Sequence, residues 1–532
     1  MKQADLYYRP EWTCGRYNAE HKAALMYNLL EGMCFYYEDI TAEVIGHILS
    51  VSRNSSFDLE WLSQQSDVQI DSLIPFLEQL KQYGLLTSKV LFEDEISAYR
   101  SNLKTKRQQQ VLNNIDSLHE MTIVGTAGAE RMFMEKVKGI TSAMFELTYR
   151  CSEMCLHCYN PGAARNSKET SHRMHRQELE LRDYKKLINE LNDLGVTKVC
   201  LSGGDPFSKP IVWDIIEYLY QKEIAIDIFT NGISIVNQVD KLSKFYPRSI
   251  GISLYSDVPE IHDYITRVKG SHDRTINFIQ QCSEYSLPML LKCCIMKPNV
   301  SSYTTVKQVA YKYGALPQFD LNITDSVDGD KCATTHLRLN EKELEIVLRD
   351  KDLFYYISGE GVKGLVRNED EIMCSAGHNS ICITPEGNVQ PCCAFPLKLG
   401  NCRESSISDI LKDNSILIWW KKQKIKDCQD CNKHPYCAYC QMCVGNNYIA
   451  HGNPLIASEN NCYLAKVRYN LAIKMQNGFD PLQGRNIEAA LSELQYKFRE
   501  INRIPSMSFR EDARINGVSL NYSYDNKNDE QI

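Results

Sequence analysis

The sequence predicts an α/β protein. Its centre is a barrel or open sheet of repeated strand–helix units, with a small helical domain before it and a cysteine-rich region after it. Three observations carry this reading. From Gly139 onward, apolar runs of strand length alternate with amphipathic helical stretches. Residues 1–92 instead hold three short helical periods and aromatic strand runs. Of 21 cysteines, eleven fall between Cys374 and Cys462, and only Cys14 and Cys34 precede residue 150.

Residues 7–12 and 24–37 contain short aromatic and apolar runs suited to strands. Thr41 is placed to cap a helix with Val44, Ile45, Ile48 and Leu49 on one face, and Asp58 to cap a second containing Leu59 and Leu62. A third starts at Asp71, turns Leu73, Phe76, Leu77 and Leu80 inward and ends at Gly84. Residues 85–92 then read as a strand. Three small helices followed by a wing describe a winged helix–turn–helix over residues 1–92. A DNA-reading version needs a basic recognition helix, whereas this one offers Asp71, Glu78 and Lys81. A polar helix over about 97–120 fills a linker, 93–138.

In the central region, residues 139–345, the predicted strands are 142–147, 196–201, 224–229, 249–254, 290–296 and 319–323. The intervals are helical. Residues 178–194 turn Leu181, Tyr184, Leu187, Ile188, Leu191 and Leu194 inward and stop at Gly195, and 211–220 is opened by Pro210. Buried parallel strands of this kind carry their chemistry at their C-terminal ends. Cys200, Cys282, Cys293, Cys294 and Cys332 read as core thiols. Residues 346–478 are rich in cysteine and loops, 487–502 read as a helix, and the end of the chain, within 479–532, is polar from Arg510.

At 532 residues the chain exceeds one core. Its 60 Lys and Arg against 67 Asp and Glu leave a net charge of −7, which gives a nucleic-acid partner no electrostatic support. No apolar stretch suits a signal peptide or the ~20 residues of a membrane span. The expectation is a cytoplasmic protein with neither a nucleic-acid nor a membrane partner. There, abundant cysteines are metal ligands rather than disulfides.

Cys151, Cys155 and Cys158 form a C-x3-C-x2-C loop at the end of the first predicted barrel strand. Tetrahedral zinc and closed clusters want four protein ligands, so three thiolates suit a [4Fe–4S] cluster with one open iron. Placed there, the loop resembles the signature of the radical S-adenosylmethionine (SAM) superfamily. The resemblance implies a partial (β/α)6 TIM-like barrel over 139–345. It also implies a [4Fe–4S] cluster on the three cysteines, SAM at the open iron, and a 5′-deoxyadenosyl radical as the product of its reductive cleavage. Ser202-Gly203-Gly204-Asp205-Pro206 resembles the family's Gly-Gly-Glu-Pro motif, with Asp in place of the commoner Glu. Gly203, Gly204 and Asp205 would then contact the amino group of SAM. Thr230-Asn231-Gly232 fits the third strand end. Ser253 and Arg267, the latter in a segment running from His262 to Ser271, would hold the ribose and carboxylate.

A second pattern is C-x12-G-x4-C over Cys374, Gly387 and Cys392, followed by Cys428-x2-Cys431-x5-Cys437-x2-Cys440-x2-Cys443 and by Cys462. It resembles the SPASM extension, which binds two auxiliary [4Fe–4S] clusters, and assigns it to 346–478. By that resemblance Cys428, Cys431, Cys437 and Cys462 hold an outer cluster, and Cys374, Cys392 and one later cysteine an inner one. The usual spacing would put that last ligand at position 441, which is Gln. Cys440 and Cys443 therefore compete for the role, and Cys382 is a candidate fourth ligand. Zinc is the alternative occupant of the C-x2-C pairs. Cys393 and Cys402 read as spares.

The N-terminal winged helix resembles the recognition element of enzymes that modify ribosomally made peptides, which bind a leader peptide as an added strand. Together the resemblances imply a peptide maturase that oxidatively crosslinks side chains of a precursor peptide, through a thioether or a carbon–carbon bond. An external one-electron reductant of flavodoxin or ferredoxin type would supply it. The alternatives are formylglycine formation on a sulfatase, peptide epimerisation using Cys294 or Cys332 as hydrogen donor, and a multi-cluster electron carrier. The residues do not single out a general base.

Overall fold

The computed structural model describes residues 6–113, 118–161, 177–327, 332–350, 353, 368–429, 431, 433–494, 514–515 and 518–519. The chain opens with β1 (Tyr7–Tyr8) and an antiparallel sheet of β2 (Thr13–Asn18), β3 (Ala23–Asn28) and β4 (Met33–Glu38), in that order. The central strand β3 is buried along its whole length. Helices α1 (Asp39–Ser50), α2 (Leu59–Ser66) and α3 (Ile70–Gln82) follow, with β5 (Ser56–Phe57) pairing back to β1. Asp58 caps α2, its carboxylate accepting from the Trp61 amide at 2.8 Å. Thr41 does not cap α1, which begins two residues earlier; its hydroxyl instead donates to the Glu38 carbonyl at 2.7 Å.

Residues 85–92 form no strand beyond a single bridge between Tyr8 and Thr87. The sheet of this region therefore precedes its three helices. The expected wing after them is missing because β3 already has both neighbours upstream. Helices α4 (Glu93–Asn113) and α5 (Leu118–Val137) come next, and α5 lies against β3 and β4.

The strand–helix alternation then builds β6 (Ser142–Glu146), β7 (Lys198–Ser202), β8 (Ala225–Thr230), β9 (Ser249–Ser253), β10 (Met289–Cys294) and β11 (Leu316–Asp320). All six are parallel and paired in sequence order. Period-two alternation separates their faces. Phe145, Leu201 and Ile228 point outward, into a core shared with Tyr184, Leu187, Ile188, Ile215 and Leu219 of the covering helices. Met144, Cys200 and Asp227 share the opposite face, register by register.

The cysteine-rich region joins the same sheet. Its β12 (Ser380–Ile383) pairs parallel to β6 and places Cys382 beside Met144, and β13 (Asn388–Gln390) and β14 (Gly400–Asn401) extend the edge antiparallel. The sequence pattern does not foretell this, because strands of two to four residues are too short to show a period. The helix beginning at Ile487 ends at Ser492 with Glu493 as its cap, short of its expected length; residues 495–502 lie outside the described residues, as does the polar end apart from one short pairing of 514–515 with 518–519.

The N-terminal sheet is bolted to the barrel through polar side chains. Tyr27 on β3 donates to Glu130 of α5 at 2.9 Å. Glu130 also pairs with Lys198 at 2.5 Å and Arg248 at 3.3 Å, and Arg248 pairs in turn with Asp227. Arg16 on β2 donates to Asn192, at 2.7 Å, and to the carbonyls of Val196 and Lys222. These barrel residues cluster where β7, β8 and β9 begin. Among the described residues no helix is long and apolar enough to cross a membrane.

Candidate metal centres

The loop after β6 carries Cys151, Cys155 and Cys158 at the C-terminal end of the barrel strands, where the other strand-end loops converge. Gly203 (φ +127°) and Gly204 press against it so closely that a Cβ on either would collide with the carbonyl of Thr148 or of Arg150. Backbone bonds lock the contact: Gly204 donates to the Thr148 carbonyl at 2.6 Å and Asp205 to that of Arg150 at 2.8 Å. The Asn160 amide closes the loop onto the Gly203 carbonyl at 3.1 Å.

Asp205 is fully buried and its carboxylate is occupied within the protein. It accepts from the Thr230 hydroxyl at 2.6 Å, the Asn231 amide at 3.1 Å and the Phe207 amide at 3.0 Å. The carboxylate thereby joins the second and third strand-end loops. Asn231 passes the constraint on, its Nδ2 donating to the Ser152 hydroxyl at 2.9 Å and lying 3.5 Å from the Cys151 sulfur.

Opposite stand Tyr255, whose hydroxyl is 3.9 Å from the Cys155 sulfur, and His262, whose ring stacks on Tyr255. Ser253 ends β9 just before Tyr255. Arg267 ends the helix Pro259–Thr266 in a left-handed conformation, φ +61°. Leu156, Tyr255, Ile265 and Met296 make an apolar wall on which Cys155 and Cys294 pack. Cys332 lies in the helix Cys332–Leu337, and its side chain is outside the described residues. Burial pushes the thiols of Cys151 and Cys155 up, with the neighbouring Glu153 carboxylate adding to it. They would bind iron by exchanging that proton for the charge of the metal.

The barrel wall between this loop and the cysteine-rich region is acidic. Glu146 lies on the same face as Met144 and Cys382, accepts from the Tyr159 hydroxyl at 3.2 Å, and is pushed up by burial to about 8. Sequence reasoning gives no role to Glu146, Tyr159, Asn160 or Tyr255, and names His262 only as the start of the Arg267 segment. The first three lie within five residues of the cysteine loop on one side or the other; Asn231 reads as part of a strand-end motif, but that motif does not foretell its bond to Ser152 in the cysteine loop.

In the cysteine-rich region, Cys431, Cys437, Cys440 and Cys462 line one small cavity together with Met442 and Asn461. Cys428 and Cys431, the latter on the cavity wall, are joined as a disulfide with Cα atoms 5.3 Å apart, so this C-x2-C pair would have to be reduced to ligate. Cys374, Cys392 and Cys443 are electrostatic neighbours of one another. Cys382 is buried with Glu146 and Cys392 as neighbours, Cys393 is half-buried, and the Cys392 and Cys393 sulfurs are 4.0 Å apart. Cys402 is buried beside Gly387. Among the described residues no three His, Cys, Asp or Glu side chains converge closely enough for a single metal ion. The thiols lining the outer cavity suit a cubane, whose ligands stand farther apart and are all sulfur.

Residues 145–298 match the model of the radical SAM superfamily, and residues 374–443 match SPASM, the iron–sulfur cluster-binding domain. The chain carries a radical SAM domain and, after it, a SPASM domain. It is 28% identical over 366 residues to the antilisterial bacteriocin subtilosin biosynthesis protein AlbA of Bacillus subtilis, covering 66% of this chain and 76% of AlbA. It is 24% identical over 357 residues to the mycofactocin maturase MftC of Mycobacterium tuberculosis, covering 63% and 87%. Its fold resembles that of Streptococcus suis SuiB bound to precursor peptide SuiA, with a TM-score of 0.50 and 14% identity over 86% of this chain and 99% of that one. A radical SAM enzyme with this second domain uses a [4Fe–4S] cluster, SAM and auxiliary iron–sulfur clusters.

Proposed function

We propose that this enzyme is a peptide maturase that forms thioether or carbon–carbon crosslinks between side chains of a ribosomally made precursor. The observation that carries the reading is the placement of a three-thiol loop at the mouth of a parallel barrel whose own sheet continues into the cysteine-rich domain. The relatives support it: AlbA is a bacteriocin biosynthesis protein, MftC a maturase, and SuiB is seen with a precursor peptide.

Cys151, Cys155 and Cys158 would hold the SAM-binding cluster, which supplies an electron that cleaves SAM to a hydrogen-abstracting 5′-deoxyadenosyl radical. The protein's part is positional. Gly203 and Gly204 present backbone at the cysteine loop, Asp205 and Asn231 fix that backbone, and the apolar cluster holding Tyr255 and Met296 would help keep water from the cluster loop. Ser253 and Arg267 would orient the ribose and carboxylate of SAM. Oxidative closure of a crosslink leaves one electron over, which the auxiliary clusters are suited to remove, since such potentials span ~−700 to +450 mV. A flavodoxin- or ferredoxin-type donor would supply the first electron.

The leader would bind in the N-terminal region along β4, an outer strand of its sheet, beside α3. There Phe35 stacks on Tyr83 at 4.7 Å and Tyr37 meets Phe76 edge-on. Anaerobic co-expression with a precursor peptide encoded beside this chain tests the reading. Mass spectrometry should show two hydrogens lost per crosslink, and dithionite-reduced enzyme should release 5′-deoxyadenosine from SAM. An unchanged peptide mass, with SAM still cleaved, would discard crosslinking in favour of epimerisation.

A further inference from the structure

The cysteine-rich segment departs from the spacing it resembles, and its packing accommodates the departure. Gln441 stands where that spacing would have a cysteine, and its side-chain oxygen accepts from the buried Arg468 at 2.8 Å. The same guanidinium donates to the Tyr439 carbonyl at 3.4 Å. Both residues flanking Cys440 are thus held from the helix Glu459–Gln476, which also carries Cys462. Held there, Cys440 lines the cavity shared by Cys431, Cys437 and Cys462.

Cys443 is directed elsewhere. It is the cap of the helix Val444–His451, and its carbonyl accepts from Asn461 at 3.0 Å. Two residues on, Gly445 lies so close to Ala394 that any Cβ would collide with the Ala394 carbonyl. This contact sets the Cys443 end of the helix against the turn that carries Cys392, where Cys392 and Phe395 form a bridge. Cys374 lies within electrostatic reach of both Cys392 and Cys443.

We propose that Cys443, and not Cys440, joins Cys374 and Cys392 at the inner auxiliary cluster, while Cys440 is a fifth thiol at the outer site with Cys428, Cys431, Cys437 and Cys462. The assignment rests on the proposed cluster-bearing maturase. Where the usual spacing supplies one cysteine after the third, this chain supplies two, each committed to a different site.

The test compares the full-length parent, loaded anaerobically with iron and sulfide, with its C440S and C443S variants. The inner-cluster signal is defined as the part of the dithionite-reduced EPR spectrum that the C374A/C392A double variant removes. C443S should alter or abolish that signal and lose up to about four of about twelve irons per chain. C440S should leave the signal as it is. Gly445→Ala serves as a second route, since it forces the Cys443 segment off the Cys392 turn while every thiol is retained; it should reproduce the C443S loss. If C440S removes the inner signal, or if C443S and Gly445→Ala both leave it intact, the assignment is overturned. A parent chain that takes up no iron at all would instead refute the underlying cluster reading.

Discussion

Asp205 shows how a motif residue can tie two loops together. Its carboxylate accepts three hydrogen bonds from two loops and is fully buried. In Asp205→Asn one acceptor oxygen becomes an NH2 that faces donors. Each unsatisfied buried group costs about 1–3 kcal/mol, so the denaturant midpoint should fall and SAM affinity should weaken with it, by isothermal titration. Asp205→Glu adds a methylene to a filled site and should also destabilise, by about 1–3 kcal/mol. His262 makes a prediction in pH. Burial, with the neighbouring His272 adding to it, holds its imidazole down to about 3, and its Nδ1 accepts from the Tyr255 amide at 3.3 Å. The unfolded chain binds that proton near pH 6.5, so stability is complete above that value and is lost as pH falls through the window toward 3. In His262→Gln, which retains an acceptor for Tyr255, the stability lost between about pH 7.5 and about pH 5.5 should shrink by about 1 kcal/mol in urea titrations.

At the scale of elements, the loops after β6 and β7 act as one piece, because Gly204 leaves no room between them. Gly204→Ala should push the loops apart, and the loaded variant should show a lower yield of 5′-deoxyadenosine per reduced cluster while the auxiliary iron stays bound. Long, strongly patterned elements were legible from the sequence. The helix at Leu181–Asp193 and the first five parallel strands follow from period and from buried runs, whereas the sixth, expected at 319–323, forms three residues earlier as β11. The strand expected at 85–92 fails because a hydrophobic run alone does not say which edge will receive it, and β3 was already flanked. Likewise β12 is four residues long, and only its pairing with β6 reveals it. The cysteines of the candidate sites stood out by spacing. Their supporting groups did not, since Asn160, Tyr255 and His262 act through contacts made across the fold rather than along the chain.

At the scale of the whole molecule, Glu130 joins the two halves. It meets Tyr27 of the N-terminal sheet and both Lys198 and Arg248 of the barrel. Removing one member of a buried charge network strands the others, typically at about 3–5 kcal/mol. Glu130→Ala should therefore loosen the N-terminal region before the barrel melts, visible as early proteolytic release of a fragment cut between α5 and β6. The parent should resist the same digestion.

That junction has a geometric corollary for the peptide. The sheet that would grip the leader is fastened under the barrel, where strands start, whereas the cysteine loop crowns the opposite rim. Five- to six-residue strands make the wall between them roughly 17–20 Å tall. An extended chain spans at most ~3.6 Å per residue, so at least about five to six uncrosslinked residues must climb past the barrel between the gripped segment and the first residue altered. Precursors trimmed below that length should still bind at undiminished affinity, yet emerge with their mass unchanged.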